Sequence, residues 1–252
     1  MVLRRLTAAL AAGVTVDTVL TGDRATAGHP VLGEVRLTGG RTDHHVQHVT
    51  VNVDVIADNA GSGPQTFLRH RVAADLALPA DGDLTLPVGF DLPADTPISG
   101  IDDESVPGVR IGVTTELALE NAFDKGDLDP LTIRPLPAQS AILKAADALG
   151  LAFHRSILVS GGLPTSTLPF RQKFEYWPTG EFAEAFTVVR LAFRCFDTGA
   201  EVYIEAEKTE GDTSTGGRTG GHFVVDHDED TAIDPLRDGL RRLAQRPGLF
   251  RS

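Results

Sequence analysis

The stretch Leu84-Thr-Leu-Pro-Val-Gly-Phe-Asp-Leu-Pro-Ala-Asp-Thr-Pro97 decides the fold. Its first half alternates apolar and polar residues, which is the pattern of a β-strand with one buried face. Proline has no amide hydrogen to donate and fixes φ, so the strand must end at Pro93. A turn and a strand over 28–40 lie upstream, and an alternating strand over 109–119 lies downstream. These neighbours predict an antiparallel sandwich.

Further strand patterns fill both halves of the chain. Valine occupies every second position from Val49 to Val55 between polar residues, which predicts one buried face and one solvated face. Phe170 to Tyr176 alternates in the same way. Strands spaced like this, without helices between them, favour sandwiches over an α/β fold. The other predicted strands cover 14–20, 67–73, 131–134, 182–196, 202–206 and 222–226.

Three short helices and a linker complete the predicted organisation. A short amphipathic helix over 6–14 leads into the first strand, and we prefer it to a secretory signal. A second helix runs from Ser140 to Leu149 after a proline-containing linker, and a third closes the chain from Pro235 to Ala244. The predicted fold class is all-β, with two tandem β-sandwich domains over residues 1–137 and 138–252.

The charge balance limits the partners that the chain can bind. Acidic residues outnumber basic ones by 35 to 23, which gives a net charge of −12. Such a field repels nucleic acid and anionic membranes, so we expect neither as the main partner. No apolar run reaches the ~20 residues that span a bilayer. Cys195 is the single cysteine, and its phenylalanine neighbours predict a buried structural thiol.

The pattern His44-His45-x-x-His48 is the one most suggestive of metal chemistry. In a strand His44 and His48 share a face, and imidazole is a good ligand for zinc or nickel. Asp43 and His29 are the nearest candidates for further ligands. The alternative, which we prefer, is that three exposed histidines lie in a turn and at the start of a strand.

Other clusters carry weaker chemical signals. His222 and the acidic run 226–230 resemble an oxygen-rich cation loop but lack the EF-hand spacing. The carboxylates over 124–129 fit a charged turn. The glycine-rich stretches 160–162 and 216–221 lack the phosphate-loop pattern, and we predict flexible loops there. We therefore assign no catalytic, cofactor-binding or metal-binding residue.

A family resemblance rests on folding motifs that occur in a fixed order and spacing. The motifs are Val16-Asp17-Thr18, Val31–Gly40, His44–Val49, Phe90-Asp91-Leu92-Pro93, Asn121-Ala122-Phe123-Asp124, Leu168–Glu175 and Pro178-Thr-Gly180. Together they resemble the bacterial sporulation-control protein family, an arrestin-like group. The resemblance implies two tandem arrestin-like β-sandwich domains and a cytoplasmic regulator of sporulation, or of a related decision such as cell division. It brings no catalytic residues to transfer.

We therefore expect a non-catalytic cytoplasmic adaptor whose partners are other proteins, and a homodimer is an open possibility. A partner segment would add to an exposed sheet edge, with strand 170–176 as one candidate. Trp177 is predicted to pack against a neighbouring domain or helix, and anchoring a partner is the alternative. Two other functions stay open. One is a metal-dependent enzyme that uses the His44/His48 cluster, and the other is an exported β-sandwich binding module.

Overall fold

A computed structural model describes residues 7–9, 13–59, 61, 63–119, 122–125, 128–209, 217–228 and 232–246. The chain forms two compact units. Unit 1 comprises Met1–Ile56, Gly61–Pro93 and Arg110–Arg134, and unit 2 comprises Ala57–Ala60, Ala94–Val109 and Pro135–Ser252. The elements, in chain order, are β1 (Thr7–Ala9), β2 (Thr15–Leu20), β3 (Arg24–Thr26), β4 (Pro30–Thr38), β5 (His44–Ala57), β6 (Gln65–Leu78), β7 (Asp83–Asp91), β8 (Gly100–Ile101), β9 (Glu104–Ser105), β10 (Val109–Leu119), β11 (Ala122–Lys125), β12 (Asp129–Pro130), β13 (Thr132–Arg134), α1 (Pro137–Ala148), β14 (Leu151–Ser160), β15 (Phe170–Pro178), β16 (Phe186–Phe196), β17 (Gly199–Lys208), β18 (Arg218–Asp226) and α2 (Ile233–Gln245).

Unit 1 contains the predicted sandwich. One sheet has the strand order β1-β2-β4-β7, and the other has the order β11-β10-β5-β6 with β12 added to β10. Val35 and Val51 are fully buried in its core. Between the sheets, the hydroxyl groups of Thr18 on β2 and Thr115 on β10 lie 2.5 Å apart in a buried hydrogen bond. β-Branched side chains suit such a core because they pack well on a pleated surface.

Strand β5 is buried on both faces over 49–55, whereas its alternation predicts one solvated face. Asn52 and Asp54 on the polar face are both 0% exposed. Asp54 accepts a hydrogen bond from the Thr114 hydroxyl at 2.6 Å and another from the Thr66 hydroxyl. These donors replace the water that the carboxylate loses on burial. The alternation therefore identifies which residues share a face, but it cannot show whether other parts of the chain cover that face.

Unit 2 is built on a five-stranded sheet in which β14, β15, β16, β17 and β18 follow one another and pair antiparallel. The helices α1 and α2 cover one face of this sheet. Ile142 of α1 and Leu240 of α2 are 0% exposed and belong to one apolar core with Phe174 and Leu191 of the sheet. In the described residues, helices thus form the layer that the sequence led us to expect as a second sheet. Each helix has an apolar stripe, which a sheet face can bury.

The all-β class is confirmed, but the predicted helices need two corrections. Thr7–Ala9 form β1 and pair antiparallel with β2, so the N-terminal helix over 6–14 is wrong at these residues. The rest of that segment before Gly13 lies outside the described residues. α1 begins at Pro137 and not at Ser140, because proline suits the first helical position. No helix among the described residues has the length and apolar character that crossing a membrane requires.

Candidate functional site

The structure places His44 and His48 four residues apart on one face of β5, near its start. His44 Nε2 lies 3.4 Å from Thr42 Oγ1, and His45 Nε2 lies 2.6 Å from Asp75 Oδ1 on β6. Within the described ranges, no three histidine, cysteine, aspartate or glutamate residues lie close enough together to hold a metal ion. Those residues therefore give the histidines no third ligand of the kind that zinc sites use.

The second histidine cluster contributes to structure through His227. Its Nδ1 accepts the backbone N–H of Ala138 at 3.3 Å, and its Nε2 lies 3.1 Å from the carbonyl oxygen of Phe196. His227 thus connects the start of α1 to the end of β16. Residues 229–231 and the side chains of 120–127 lie outside the described part of the chain.

Cys195 is a buried thiol, as its neighbours predict. It is 8% exposed on β16, and its backbone N–H donates to Asp95 Oδ1 at 2.7 Å. Burial, and then the nearby charge of Asp95, raise the pKa of the thiol well above its ordinary range. Since the thiolate is the nucleophile, this cysteine is unsuited to covalent catalysis.

We expect a thiol-specific disulfide reagent to modify Cys195 at least about 100-fold more slowly in the native protein than in the urea-unfolded protein. The reason is that the native thiol is both inaccessible and protonated. The rate is measured from absorbance of the released thiol at a fixed pH, with Cys195→Ala as the blank. Equal rates in the two states would contradict the burial of this residue.

The outer face of the unit 2 sheet, opposite the helices, carries a lattice of ion pairs. Its centre is the side chain of Glu175, which is 6% exposed. Arg190 Nε donates to one carboxylate oxygen of Glu175 at 2.7 Å, and Arg155 Nε donates to the other at 3.2 Å. Arg190 Nη1 also donates to Glu207 at 2.7 Å. The further ion pairs are Lys173–Glu205, Arg194–Glu201 and Arg218–Glu207, and His222 Nε2 lies 3.7 Å from a carboxylate oxygen of Glu201.

These arginines keep Glu175 ionised. Burial raises the pKa of the Glu175 carboxyl group, but the hydrogen bonds and charges of Arg190 and Arg155 together outweigh burial and hold the pKa below its ordinary value. A general acid or base needs a pKa near the working pH. The lattice therefore has the properties of a structural charge network, and not those of an acid–base site.

Strand β15, the edge strand that we considered from the sequence, lies inside the sheet. It pairs with β14 on one side and β16 on the other, so the edges belong to β14 and β18. The outer side of β14 is covered. Ser156 N–H donates to the carbonyl oxygen of Pro107 at 3.0 Å. The Asn59 side chain bonds both backbone groups of Leu158, at 2.7 Å to its carbonyl oxygen and 3.0 Å from its N–H.

We expect Asn59→Ala to lower the free energy of unfolding by about 1–2 kcal/mol, because two partly buried backbone groups lose their partner. Amide hydrogen exchange at Leu158 should accelerate together with this loss. Asn59→Asp separates the two bonds, since its carboxylate still accepts the Leu158 N–H but cannot donate to the Leu158 carbonyl oxygen. Unchanged exchange at Leu158 in Asn59→Ala would show that this side chain does not close the edge.

An aromatic patch lies at the uncovered end of β14. A register shift between Phe153 and Arg155 turns His154 toward Trp177, and the two rings stack at 3.9 Å. Trp177 remains 51% exposed and Phe153 remains 41% exposed. Exposed tryptophan is enriched among the residues that dominate protein interfaces. Trp177 therefore packs on one face against a neighbouring strand and leaves about half of its surface exposed, and the anchoring of a partner stays a prediction.

Comparison with known proteins agrees with the motifs and the fold. A family model described as SpoOM protein matches residues 3–210. The sporulation-control protein spo0M of Bacillus subtilis (strain 168) is 26% identical over 199 residues, which are 77% of this chain and 75% of that protein. The crystal structure of Spo0M, sporulation control protein, from Bacillus subtilis matches with a TM-score of 0.71 and 22% identity, and covers 92% of this chain and 95% of that chain. This last likeness concerns the fold.

Proposed function

This chain belongs to the SpoOM protein family, and from that premise we propose that it is a non-catalytic regulator in sporulation control or a related developmental decision. It works in the cytoplasm as an adaptor, through contacts with other proteins. The observation that carries the proposal is the family match over residues 3–210. The relative of Bacillus subtilis, which is named a sporulation-control protein, supports it over three quarters of its own length.

Several ionisable side chains in unit 2 are held in structural contacts or are buried, and this supports a role without catalysis. Glu175 is held by two arginines, His227 bridges two backbone groups, and Cys195 is buried. Catalytic groups instead lie in a cleft with a pKa tuned toward the working pH. Of the side chains that the sequence analysis weighed for chemistry, His227 and Cys195 serve the fold.

Surface features support contacts with proteins. The net charge of −12 disfavours nucleic acid and anionic membranes as partners. Trp177 and Phe153 give an exposed aromatic patch, and the β18 edge gives a second surface. Aromatic anchors and open strand edges are two features that proteins use to bind each other.

The test is made in the native host. A strain with the chromosomal gene fused to an affinity tag is crosslinked during growth and during development, and the bound proteins are identified by mass spectrometry. We expect one protein partner to be enriched in development over a tag-only control, and deletion of the gene to change septation or spore number. Normal development after deletion would contradict the regulatory role. Turnover of a small molecule by the pure protein, lost after one substitution, would contradict the absence of catalysis.

A further inference from the structure

Strand β18 is an open edge, in contrast to β14 at the opposite side of the same sheet. The carbonyl oxygen of Gly220 faces away from β17, because it accepts a hydrogen bond from Arg246 Nη1 at 3.2 Å. Strand alternation points the backbone groups of His222 and Val224 in the same outward direction. In the part of the chain that the structure describes, no residue bonds to these groups. Val224 is also 57% exposed.

A groove runs between β18 and α2 and has a volume of about 250 Å³. Residues 220–223 form its strand side, and Gly239, Arg242, Leu243 and Arg246 form its helix side. Gly239, Arg242 and Leu243 share one face of α2, since they lie three and four residues apart, and Arg246 follows directly after the helix. Gly239 allows the close approach of the helix, because a Cβ there would lie 2.8 Å from Ile204 Cδ1.

The β18–α2 groove combines an apolar floor with a basic wall. Ile204 and Leu243 are 2% exposed and supply the floor. Arg242 and Arg246 lie on the wall, and Arg242 makes no ion pair or hydrogen bond with another residue of the described ranges. Lys208 adds a third positive charge nearby, where its ammonium group donates to the carbonyl oxygen of Ala244 at 2.8 Å. An unpaired cation beside an apolar floor is complementary to a segment that carries both carboxylates and apolar side chains.

We propose that the β18–α2 groove binds an extended acidic segment of a partner protein, which adds to the unit 2 sheet as a sixth strand. The backbone of the segment bonds the outward groups of His222 and Val224. One of its apolar side chains enters the groove over Ile204, and its carboxylates meet Arg242 and Arg246. Strand addition of this kind takes affinity from backbone bonds and specificity from the groove. The inference rests on the proposed function, because it names the surface through which an adaptor would act.

The net charge of the chain does not oppose this choice of partner. At physiological ionic strength the Debye length is about 8 Å, so distant carboxylates are screened at the groove. The glutamates of β17 that lie opposite β18, Glu201, Glu205 and Glu207, are already paired with basic side chains. The residues that line the groove include Arg242 and Arg246 and no carboxylate, so its lining is basic.

The probes are three labelled ten-residue peptides in which valine alternates with glutamate, with serine or with lysine. Binding to the full chain is measured by fluorescence anisotropy at low and high sodium chloride. We expect the glutamate peptide to bind most tightly, the serine peptide more weakly and the lysine peptide least, with salt weakening the first. In amide NMR spectra, the shifts caused by the glutamate peptide should be confined to β18 and α2.

Two variants and one control test the geometry. Val224→Pro removes an outward amide donor without touching the bonds to β17, and we expect about tenfold weaker binding of the glutamate peptide. Arg242→Glu should weaken the glutamate peptide about tenfold or more and strengthen the lysine peptide. Lys144→Glu makes the same charge change at an exposed position on α1 that lines no part of the groove, so it should leave all three affinities unchanged. Thermal melts check that each variant folds.

The outcomes separate this proposal from the proposed function. Equal binding of the three peptides, or shifts on other elements, overturns the groove as the site even if a partner is captured in the host. Normal development after deletion overturns the regulatory role and leaves the peptide result standing. The chain could instead form a dimer whose population rises with protein concentration and whose formation shifts the amide NMR signals of β18. If Val224→Pro removes those shifts, the edge binds a second copy of this chain, and the proposal of an acidic partner segment is overturned.

Discussion

Replacement of Gly108 by alanine is expected to lower the free energy of unfolding by about 3 kcal/mol or more. Gly108 has a φ of +96°, a region that side chains rarely adopt. A Cβ at this position would also overlap the carbonyl oxygen of Ser156 on β14. The backbone strain and the overlap both arise in the segment that covers the β14 edge, so this segment must move away from β14. Urea unfolding followed by circular dichroism measures the loss.

Gly61 provides the matched control for this substitution. Its φ is +86°, but beyond its chain neighbours no described atom lies within 4 Å of a Cβ placed there. Gly61→Ala therefore isolates the backbone strain, and we expect it to cost about 1 kcal/mol. If Gly108→Ala cost no more than Gly61→Ala, the close approach between Gly108 and Ser156 would be contradicted.

Arg190→Ala is expected to lower the free energy of unfolding by about 3 kcal/mol, because it leaves the buried carboxylate of Glu175 with Arg155 alone. The double variant Arg190→Ala/Glu175→Ala removes both charges. We expect it to lose less stability than the sum of the two single losses, which a double-mutant cycle measures directly. Arg237→Ala, which breaks exposed pairs with Glu181 and Asp234, is the control and should change stability by about 0.5 kcal/mol or less.

The effect of Arg190→Ala should depend on pH with a defined sign. The pKa of Glu175 is lowered in the folded protein, whereas its value in the unfolded chain is about 4.3. The stability from its ionised form is therefore fully present above that value and is lost as the pH falls through the folded pKa. The difference in the free energy of unfolding between the wild type and Arg190→Ala should therefore become smaller in acid. A gap of constant size down to acid unfolding would contradict the role of Glu175.

The local alternation of apolar and polar residues predicted the strands well. It failed where contacts with residues distant in the sequence determine the structure. Alternation placed strands at β5, β10 and β16, because the side-chain period is a property of each strand alone. The glycine-rich stretch 216–221 is predicted as a loop, but β18 already begins at Arg218. The start of the β18–α2 groove was missed for that reason. Gly239, inside an amphipathic helix pattern, is the available signal of a close helix–sheet approach.

Strand order was beyond reach of the sequence, since it depends on contacts between distant residues. Phe170 to Tyr176 reads as a strand with mixed faces, but nothing in its own pattern tells whether one neighbour or two lie beside it. Asn59 closes the edge at Leu158 across 99 residues. Asparagine is common in turns of every kind, so Asn59 by itself does not indicate a bond to a distant strand. The covered edge and the open edge therefore emerge only from the assembled sheet.

The bond between Asn59 and Leu158 also sets an order of events during synthesis. At about 5–20 residues per second, a ribosome makes Leu158 some 5–20 s after Asn59. During that time the Asn59 side chain has no β14 backbone to bond. A nascent chain that stops after Arg134 would contain Asn59 but not β14. A fragment that starts at residue 138 would contain β14 but not Asn59. Such a fragment would expose the β14 edge to pairing with other newly made chains.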